Sequence, residues 1–407
     1  MSFASPRDVY LAASARGVSQ LGDFLAATSL VLALQERGAG SYAVAAVLAA
    51  AALPPVVLAP LAGRVVDRFD SRVVLTAVGV AQAACCGLMA YVRSPWLLVV
   101  LAALLAAGLA FTTPTFSALL PDMAGPDGIG RAMAISQTAG SIGSLAGPAL
   151  AGVLVGLYGL QVPLLVDAAS FLAVVGAGLL LRTRRVVVVS APSGSAEPAW
   201  RTRSDPLLAM QIVMVGALTL TVNTTMVALV FFVRGSLGGS AASYGLIEAS
   251  WTGMMLVGGW LAALRARGDA SLGRLLVVGN LVIAGLITMA GLVPAYGWLF
   301  PLWAIGGFAN GVGNNFLGVL AARRVPREMR GQYFAKFLAV VNATNLIGFV
   351  LAGVLVDRFS AAAVITGGGL AGLAAMTVLT LPTWRAASRP PAVGVTPAVT
   401  APVTADL

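Results

Sequence analysis

The chain has 407 residues, of which 59% are hydrophobic and 10% charged, and its formal net charge is +10 at pH 7. Soluble globular chains carry about 25% charged residues, so this composition excludes an ordinary soluble domain and indicates a polytopic membrane protein. The chain has no histidine and its two cysteines, Cys85 and Cys86, are adjacent, which argues against a metal cluster or a disulfide framework. The basic residues are spread between apolar runs, which argues against nucleic-acid binding.

Twelve apolar runs are long enough to cross a bilayer, for which a helix needs roughly 20 residues. The sequence therefore predicts an all-α membrane protein with twelve transmembrane helices. The predicted spans are about 14–36, 42–62, 73–92, 96–120, 132–157, 160–181, 207–233, 242–264, 273–293, 297–322, 332–356 and 361–382.

A polar segment rich in Pro, Ser and Gly separates the first six spans from the last six. We predict an N-terminal six-helix bundle at 1–181, a cytoplasmic linker at 182–206, a C-terminal six-helix bundle at 207–382 and a disordered cytoplasmic tail at 383–407. The string AGVLV at 151–155 recurs at 352–356, which favours two pseudo-repeats. Membrane proteins built from such repeats often bind small molecules near the midplane, between the two halves.

The basic residues also predict the orientation. Most of the 25 fall in the N-terminal segment, the linker, the tail and the loops on the same side. The opposite loops hold Arg37, Arg93, Arg234 and Arg358. Because cytoplasmic loops carry the excess of Arg and Lys, we predict that both termini are cytoplasmic. The bias toward Arg, Ala and Gly is typical of a bacterial chain, so we expect a multi-pass protein of the bacterial cytoplasmic (inner) membrane.

The connection after the second span reads GRVVDRFDSR and places Gly63, Asp67, Arg68 and Arg72 at G-x3-D-R-x3-R spacing. Here the sequence resembles the major facilitator superfamily, whose members carry this motif in the corresponding loop. The resemblance implies that the glycine lets two helices approach and that the charges form an ion-pair latch at the cytoplasmic face. The alternative is a basic loop that only sets the topology.

The fifth span contains a second motif, GSLAGPALAG, with Gly143, Gly147, Pro148 and Gly152. Small residues spaced by four form one stripe on a helix and allow close packing in a membrane. The motif resembles the G-x3-G-P-x3-G element of facilitator-superfamily antiporters. Ordinary small-residue packing is the alternative interpretation.

Several short strings narrow the resemblance: SQLGD, PTFSALLPDM, VDAASFL, YGLIEA and VPREMRGQ. Together they resemble the twelve-span drug:proton antiporter branch, which includes macrolide-efflux and siderophore-exporter proteins. That branch usually has Arg-Gly-Arg before the eleventh span, whereas Gln332 follows Arg330 and Gly331 here. The second half therefore lacks, at position 332, a charge that its cytoplasmic latch would use.

Three acidic residues lie well inside predicted spans, namely Asp23, Asp167 and Glu248. A charge at the bilayer centre costs about 2.5–3.5 kcal/mol, so each has to face protein or a water-filled cavity. Arg16, Gln20 and Asp23 share one helical face, and we expect this stripe to line the central cavity. Asp23 then either exchanges protons or contacts substrate, or else is a permanently ionised carboxylate paired with an arginine on another helix.

Glu248 is the second candidate for proton or substrate binding, and Asp167 is expected mainly to make hydrogen bonds between helices. Polar, aromatic and Met side chains on the spans could form an adaptable pocket, although such residues also pack cores or face lipid. The possible cavity residues are Asp167, Phe116, Asn223, Met226, Trp251, Met254, Phe308, Asn310, Asn342 and Asn345.

The resemblance implies a secondary active efflux transporter that exchanges amphipathic drugs or natural products for protons by alternating access. The alternatives are a dedicated metabolite or siderophore exporter or uptake carrier of the same fold, and a non-transporting membrane scaffold or sensor. We do not expect an enzyme, because the sequence shows no nucleophile–base pair and no nucleotide loop. We expect no cofactor, since the proton gradient would supply the energy. The expected partners are a small amphipathic substrate, protons and the lipid bilayer, with a monomeric chain and no nucleic acid.

Overall fold

The computed structural model describes residues 5–125, 128–183, 205–264, 268–326 and 329–388, and these form twelve α-helices. The helices are α1 (Pro6–Glu36), α2 (Gly40–Arg68), α3 (Ser71–Met89), α4 (Pro95–Ala124), α5 (Ile129–Tyr158), α6 (Gln161–Leu180), α7 (Pro206–Phe231), α8 (Ala241–Ala263), α9 (Asp269–Ala290), α10 (Leu299–Arg324), α11 (Arg330–Arg358) and α12 (Ala361–Ala387). A π-helical turn, Phe232–Ser236, follows α7, and a 3-10 turn, Tyr296–Trp298, precedes α10. The predicted all-α architecture with twelve helices is confirmed.

Ten helices of the described part are long and apolar enough to cross a membrane, judged by length and composition. The other two, α8 and α10, are also long, but they carry Glu248 and three asparagines that lower their mean hydropathy. Both helices also contribute residues to cavities of the bundle, Glu248 on α8 and Asn310 on α10 among them.

Two predicted boundaries are wrong. Helix α2 continues to Arg68 and α3 begins at Ser71, so most of the predicted loop motif is helical. The Asp70 carboxylate caps α3 by accepting from the Arg72 amide at 2.9 Å, which explains why the new helix begins immediately. Helix α12 continues to Ala387 into the predicted tail, because Thr383 and Ala387 are buried there. Residues 184–204 and 389–407, most of the predicted linker and tail, lie outside the described residues.

The two halves repeat one packing arrangement. In the first half the main helix contacts are α1–α5, α1–α6, α2–α4 and α3–α6. In the second half the equivalent pairs, α7–α11, α7–α12, α8–α10 and α9–α12, are in contact. Between the halves α2 packs against α11 and α5 against α8, again as an equivalent pair. The pseudo-repeat suggested by the AGVLV string is therefore present in the fold.

Contacts between the halves occur at what we call the distal face, the side that carries the connections at residues 37–39 and 232–240. There Glu36 Oε1 lies 2.8 Å from Arg234 Nη2. The Ser41 hydroxyl of α2 donates to the Gly353 carbonyl of α11 at 2.8 Å. Gly152 of α5 packs directly against the backbone of α8 at Ala241. These contacts hold the two halves together at the distal ends of their helices.

Gly311 lies where α10 crosses α8, and a Cβ there would collide with the Met255 carbonyl. Because two helix backbones would have to separate, we expect Gly311→Ala to destabilise the protein by about 1–3 kcal/mol. Gly318 lies on the same helix, and a Cβ added there would meet open space. Gly318→Ala is therefore the matched control and should leave stability unchanged. Thermal unfolding of both variants in detergent checks this, and equal unfolding midpoints would contradict the close crossing.

Candidate functional site

The polar stripe of α1 lines a cavity of about 260 Å³ between α1 and α4, which we call the α1–α4 cavity. Arg16, Gln20 and Asp23 all contribute to its wall, together with Phe116 of α4. Arg16 Nη1 donates to the Ser136 hydroxyl of α5 at 3.4 Å. The structure thus brings the three stripe residues to one cavity, although this cavity lies within the first half of the bundle.

Asp23 also lines a second, mostly apolar cavity of about 230 Å³, formed with α2 and α4. One of its carboxylate oxygens is buried without a hydrogen-bond partner. Within the described parts of the chain, no arginine forms an ion pair with Asp23. Asp167 is close enough to interact electrostatically with Asp23, but it adds a second carboxylate and not a neutralising charge.

Asp167 is fully buried between helices. It accepts hydrogen bonds from the Ser170 hydroxyl at 3.0 Å and from the Cys86 thiol at 3.1 Å. Gly22 of α1 packs directly against this cluster, leaving no room for a side chain. Asp167 therefore joins α6 to α3 and α1 and is not a wall residue of the cavities described here. The sequence offered no signal that Cys86 would contact Asp167.

A central cavity of about 310 Å³ lies between the two halves. It contains three of the predicted residues, Glu248, Trp251 and Met226, together with Pro148 of the α5 motif. Further lining residues that the sequence analysis did not single out are Phe24, Tyr244, Met255 and Trp303. The rings of Trp251 and Trp303 meet edge to face, with centroids 6.4 Å apart and planes at 62°.

A fourth cavity of about 210 Å³, the asparagine cavity, lies within the second half. Asn223 and Asn310 line it as candidates from the sequence, and Asn280 and Asn314 join them. The Asn223 amide donates to Asn345 Oδ1 at 2.7 Å, so Asn345 is held by a neighbour. Asn280 of α9 is 6% exposed, and its side-chain amide nitrogen has no hydrogen-bond partner. The sequence of α9 did not indicate that Asn280 would line a cavity.

Several predicted cavity residues are not among those that line the four cavities: Asp167, Met254, Phe308, Asn342 and Asn345. The backbone carbonyl of Phe308 faces Gly258 at the close crossing of α8 and α10. For these residues a cavity role stays a prediction.

Comparison with known proteins identifies the family. The family model described as Major Facilitator Superfamily matches residues 12–298, well over half of the chain. The chain belongs to this superfamily. It is therefore a multi-pass membrane transporter of the facilitator fold, a family whose members are generally not enzymes and use no cofactor.

Known relatives agree with the family but do not identify a branch. The uncharacterized MFS-type transporter YfiS of Bacillus subtilis (strain 168) is 25% identical over 170 residues, and the match spans 42% of this chain and 41% of that relative. Neither this match nor the family model singles out the drug:proton antiporter branch.

Solved structures are similar over nearly the whole chain. A mutant of the nucleoside transporter NupG has a TM-score of 0.69 at 16% identity, covering 94% of this chain and 100% of that one. A bacterial homologue of the human lysosomal transporter Spinster, inward-facing and unoccupied, has a TM-score of 0.70 at 13% identity over 94% and 98%. A bacterial metal transporter has a TM-score of 0.68 at 17% identity over 94% and 99%. At these identities the likeness shows the fold alone.

The superfamily loop motif differs from the expectation in this structure. No heavy atom lies within 4 Å of a Cβ built on Gly63, so the glycine is not at a helix contact here. Arg68 is exposed, and the buried Nε of Arg72 has no hydrogen-bond partner. The Asp67 side chain lies outside the described parts, so the expected latch stays a prediction for the first half.

The second half of this superfamily member does have a charge cluster at its proximal face, opposite the distal one. Arg324 lies with Nε 3.0 Å from Asp269 Oδ2 and Nη1 3.3 Å from Asp205 Oδ2. Arg323 Nη1 lies 3.3 Å from Asp269 Oδ1. The departure at Gln332 therefore does not remove an ion-pair cluster from this half, because residues of α9, α10 and the α7 cap form it.

The antiporter-like motif packs α5 against two helices. Gly143 lies against the backbone of α1, Gly147 against Phe24 and Leu25 of α1, and Gly152 against α8 of the other half. The Pro148 carbonyl faces Gly245, also on α8. The motif thus joins the helix that carries Asp23 to the helix that carries Glu248.

Proposed function

We propose that this facilitator-superfamily transporter exports amphipathic compounds in exchange for protons, with substrate in the central cavity and Asp23 as the proton-exchanging carboxylate. The single observation that carries the proposal is the environment of Asp23. Its carboxylate lies inside a spanning helix, lines two cavities and has a buried oxygen without a partner. Ionisable residues in such positions pair with a charge, meet water or take part in proton relays, and no arginine or lysine of the described residues forms an ion pair with Asp23.

Helix α1 connects the proposed proton site at Asp23 to the proposed substrate site in the central cavity. Phe24, next to Asp23, lines the central cavity, the α1–α4 cavity and the apolar cavity. A change in the charge of Asp23 thus occurs next to Phe24, a residue that would contact substrate in the central cavity. Gly143 and Gly147 leave no space between α1 and α5, so a shift of α1 would carry α5 and its contact with α8.

Transport requires the distal contacts to part. In the described state Glu36 pairs with Arg234 and Ser41 with Gly353, so the distal face is closed by contacts between the halves. Rocking of the halves about the central cavity would break them and expose the cavity to the other side. Protonation of Asp23 biases this equilibrium only if the two states bind the proton with different affinity.

The asparagine cavity favours a second candidate, a carrier for a polar metabolite. Amides of Asn223, Asn280, Asn310 and Asn314 face one small space, and Asn280 has an unpaired donor. Such a site suits an uncharged polar ligand better than an apolar ligand. The similar structures include a nucleoside transporter and a metal transporter, so the fold accommodates specific carriers. A scaffold or sensor would show no flux.

Orientation, surroundings and subunit organisation belong to the same proposal. We place both termini in the cytoplasm of a bacterium and the bundles, 1–181 and 207–382, in its cytoplasmic membrane, with a monomer as the working unit. The basic proximal ends of α2 and α10 support this orientation.

The proposal is tested with purified protein in proteoliposomes that are acidic inside. A labelled panel containing a macrolide, a siderophore, nucleosides and aromatic amines is added outside. We expect gradient-stimulated uptake of at least one amphipathic compound and its collapse with a protonophore. Nucleoside uptake that ignores the gradient would favour the metabolite carrier. No flux of any compound would favour the scaffold.

A further inference from the structure

The wall of the central cavity has a single formal charge. Of the described residues that line it, Glu248 is the only ionisable one apart from the phenol of Tyr244. No arginine or lysine of the described chain forms an ion pair with Glu248. A carboxylate taken out of water is costly unless a hydrogen bond and an opposite charge compensate it. Among the described residues that line this cavity there is no basic side chain to supply the opposite charge.

Aromatic rings surround this carboxylate from two helices. Trp303 on α10 lines the same cavity as Glu248. Trp251, one turn further along α8, meets the Trp303 ring edge to face. Tyr244, one turn before Glu248, is 3% exposed and close enough to interact with the carboxylate. Indole and phenol ring faces attract cations, and Trp is the most effective of them.

We propose that the central cavity binds a monovalent organic cation, with a substituted ammonium group held by Glu248 and the rings of Trp251 and Trp303. The apolar body of the ligand lies against Phe24, Met226 and Met255, which line the same cavity. The ammonium group supplies the positive charge that the described lining residues do not provide. This inference rests on the proposed function only in taking the central cavity as the substrate site, and it names the class of substrate.

The proposed site recognises its ligand by the positive charge, so a charged ligand and its neutral isostere provide the sharpest test. Phenyltrimethylammonium and tert-butylbenzene have the same shape and differ by one charge. We expect labelled phenyltrimethylammonium to bind saturably to the purified full-length protein in equilibrium dialysis. In Glu248→Gln, which keeps the size of the side chain, affinity for the cation should fall about tenfold or more. Affinity for tert-butylbenzene should be unchanged.

Two further variants keep the proposal falsifiable. Asp357→Asn removes an exposed carboxylate from α11 in the same half and should bind the cation like the unmodified protein. Trp303→Leu keeps an apolar wall and should weaken cation binding several-fold, but not binding of the neutral isostere. The proposal is overturned if Glu248→Gln binds the cation normally, or if it weakens both ligands equally.

The dialysis needs no gradient, so its result is independent of proton coupling. Normal, Glu248-dependent cation binding combined with gradient-independent flux would refute the exchange mechanism and leave the cation site standing. Gradient-driven flux of neutral compounds without cation binding would refute the cation site and leave the exchange mechanism standing.

Discussion

Asp23→Asn should uncouple transport from the proton gradient. One proton moving through about 100 mV supplies about 2.3 kcal/mol, which sustains a concentration ratio of roughly fortyfold for a neutral compound. In the variant this ratio should fall to about one, because an amide has nearly the same shape as the carboxyl group but cannot exchange a proton. Downhill equilibration of the same compound should continue, since the central cavity is unchanged. Time courses in proteoliposomes with and without a pH gradient measure both quantities.

The control is Asp122→Asn, which removes an exposed carboxylate at the end of α4 in the same half. It should accumulate substrate like the unmodified protein. If Asp23→Asn still accumulates substrate against its gradient, Asp23 is a structural carboxylate and the proposed coupling is wrong. If the folded variant loses downhill flux as well, Asp23 serves substrate passage and not coupling.

Arg324→Gln should have the largest effect on stability. The Arg324 side chain is 3% exposed and its partner Asp205 is 1% exposed, so this pair is removed from water. Removing the arginine leaves Asp205 and Asp269 facing each other without their shared cation. Loss of one partner of a buried ion pair costs about 3–5 kcal/mol. Thermal unfolding in detergent should therefore show a strongly lowered midpoint, together with loosened packing of α7, α9 and α10.

Arg323→Gln is the matched control, because Arg323 binds the same Asp269 from a position that is 43% exposed. Exposed ion pairs contribute at most about 1 kcal/mol, so its midpoint should hardly change. Similar losses in both variants would show that burial does not determine the strength of this cluster.

The architecture could be predicted from the sequence because membrane helices need long apolar runs, and each of the twelve runs became a helix. Their ends could not be predicted equally well. Helix α2 runs on to Arg68 and α12 to Ala387, where a cap at Asp70 and burial of Ala387 decide the boundary. Hydropathy predicts the apolar length of a helix that crosses the membrane. It does not predict how far the helix continues beyond the apolar run.

The candidate site was predictable only where one helix defines it. The stripe of Arg16, Gln20 and Asp23 follows from the helical period and does line one cavity. Trp303 and Cys86 were missed because Glu248, which lines the same cavity as Trp303, and Asp167, which accepts from Cys86, lie on other helices. The proximal charge cluster was missed for the same reason, since Arg324 and Asp205 are 119 residues apart. A single sequence contains no signal for contacts of this kind.

Proton release on substrate binding tests the central claim most directly. Purified protein in weakly buffered detergent solution is mixed with each compound of the panel while a pH indicator is followed. The account predicts that a transported compound releases protons from the unmodified protein and that Asp23→Asn releases none. Binding of a transported compound without proton release, or equal release from Asp23→Asn, would contradict it.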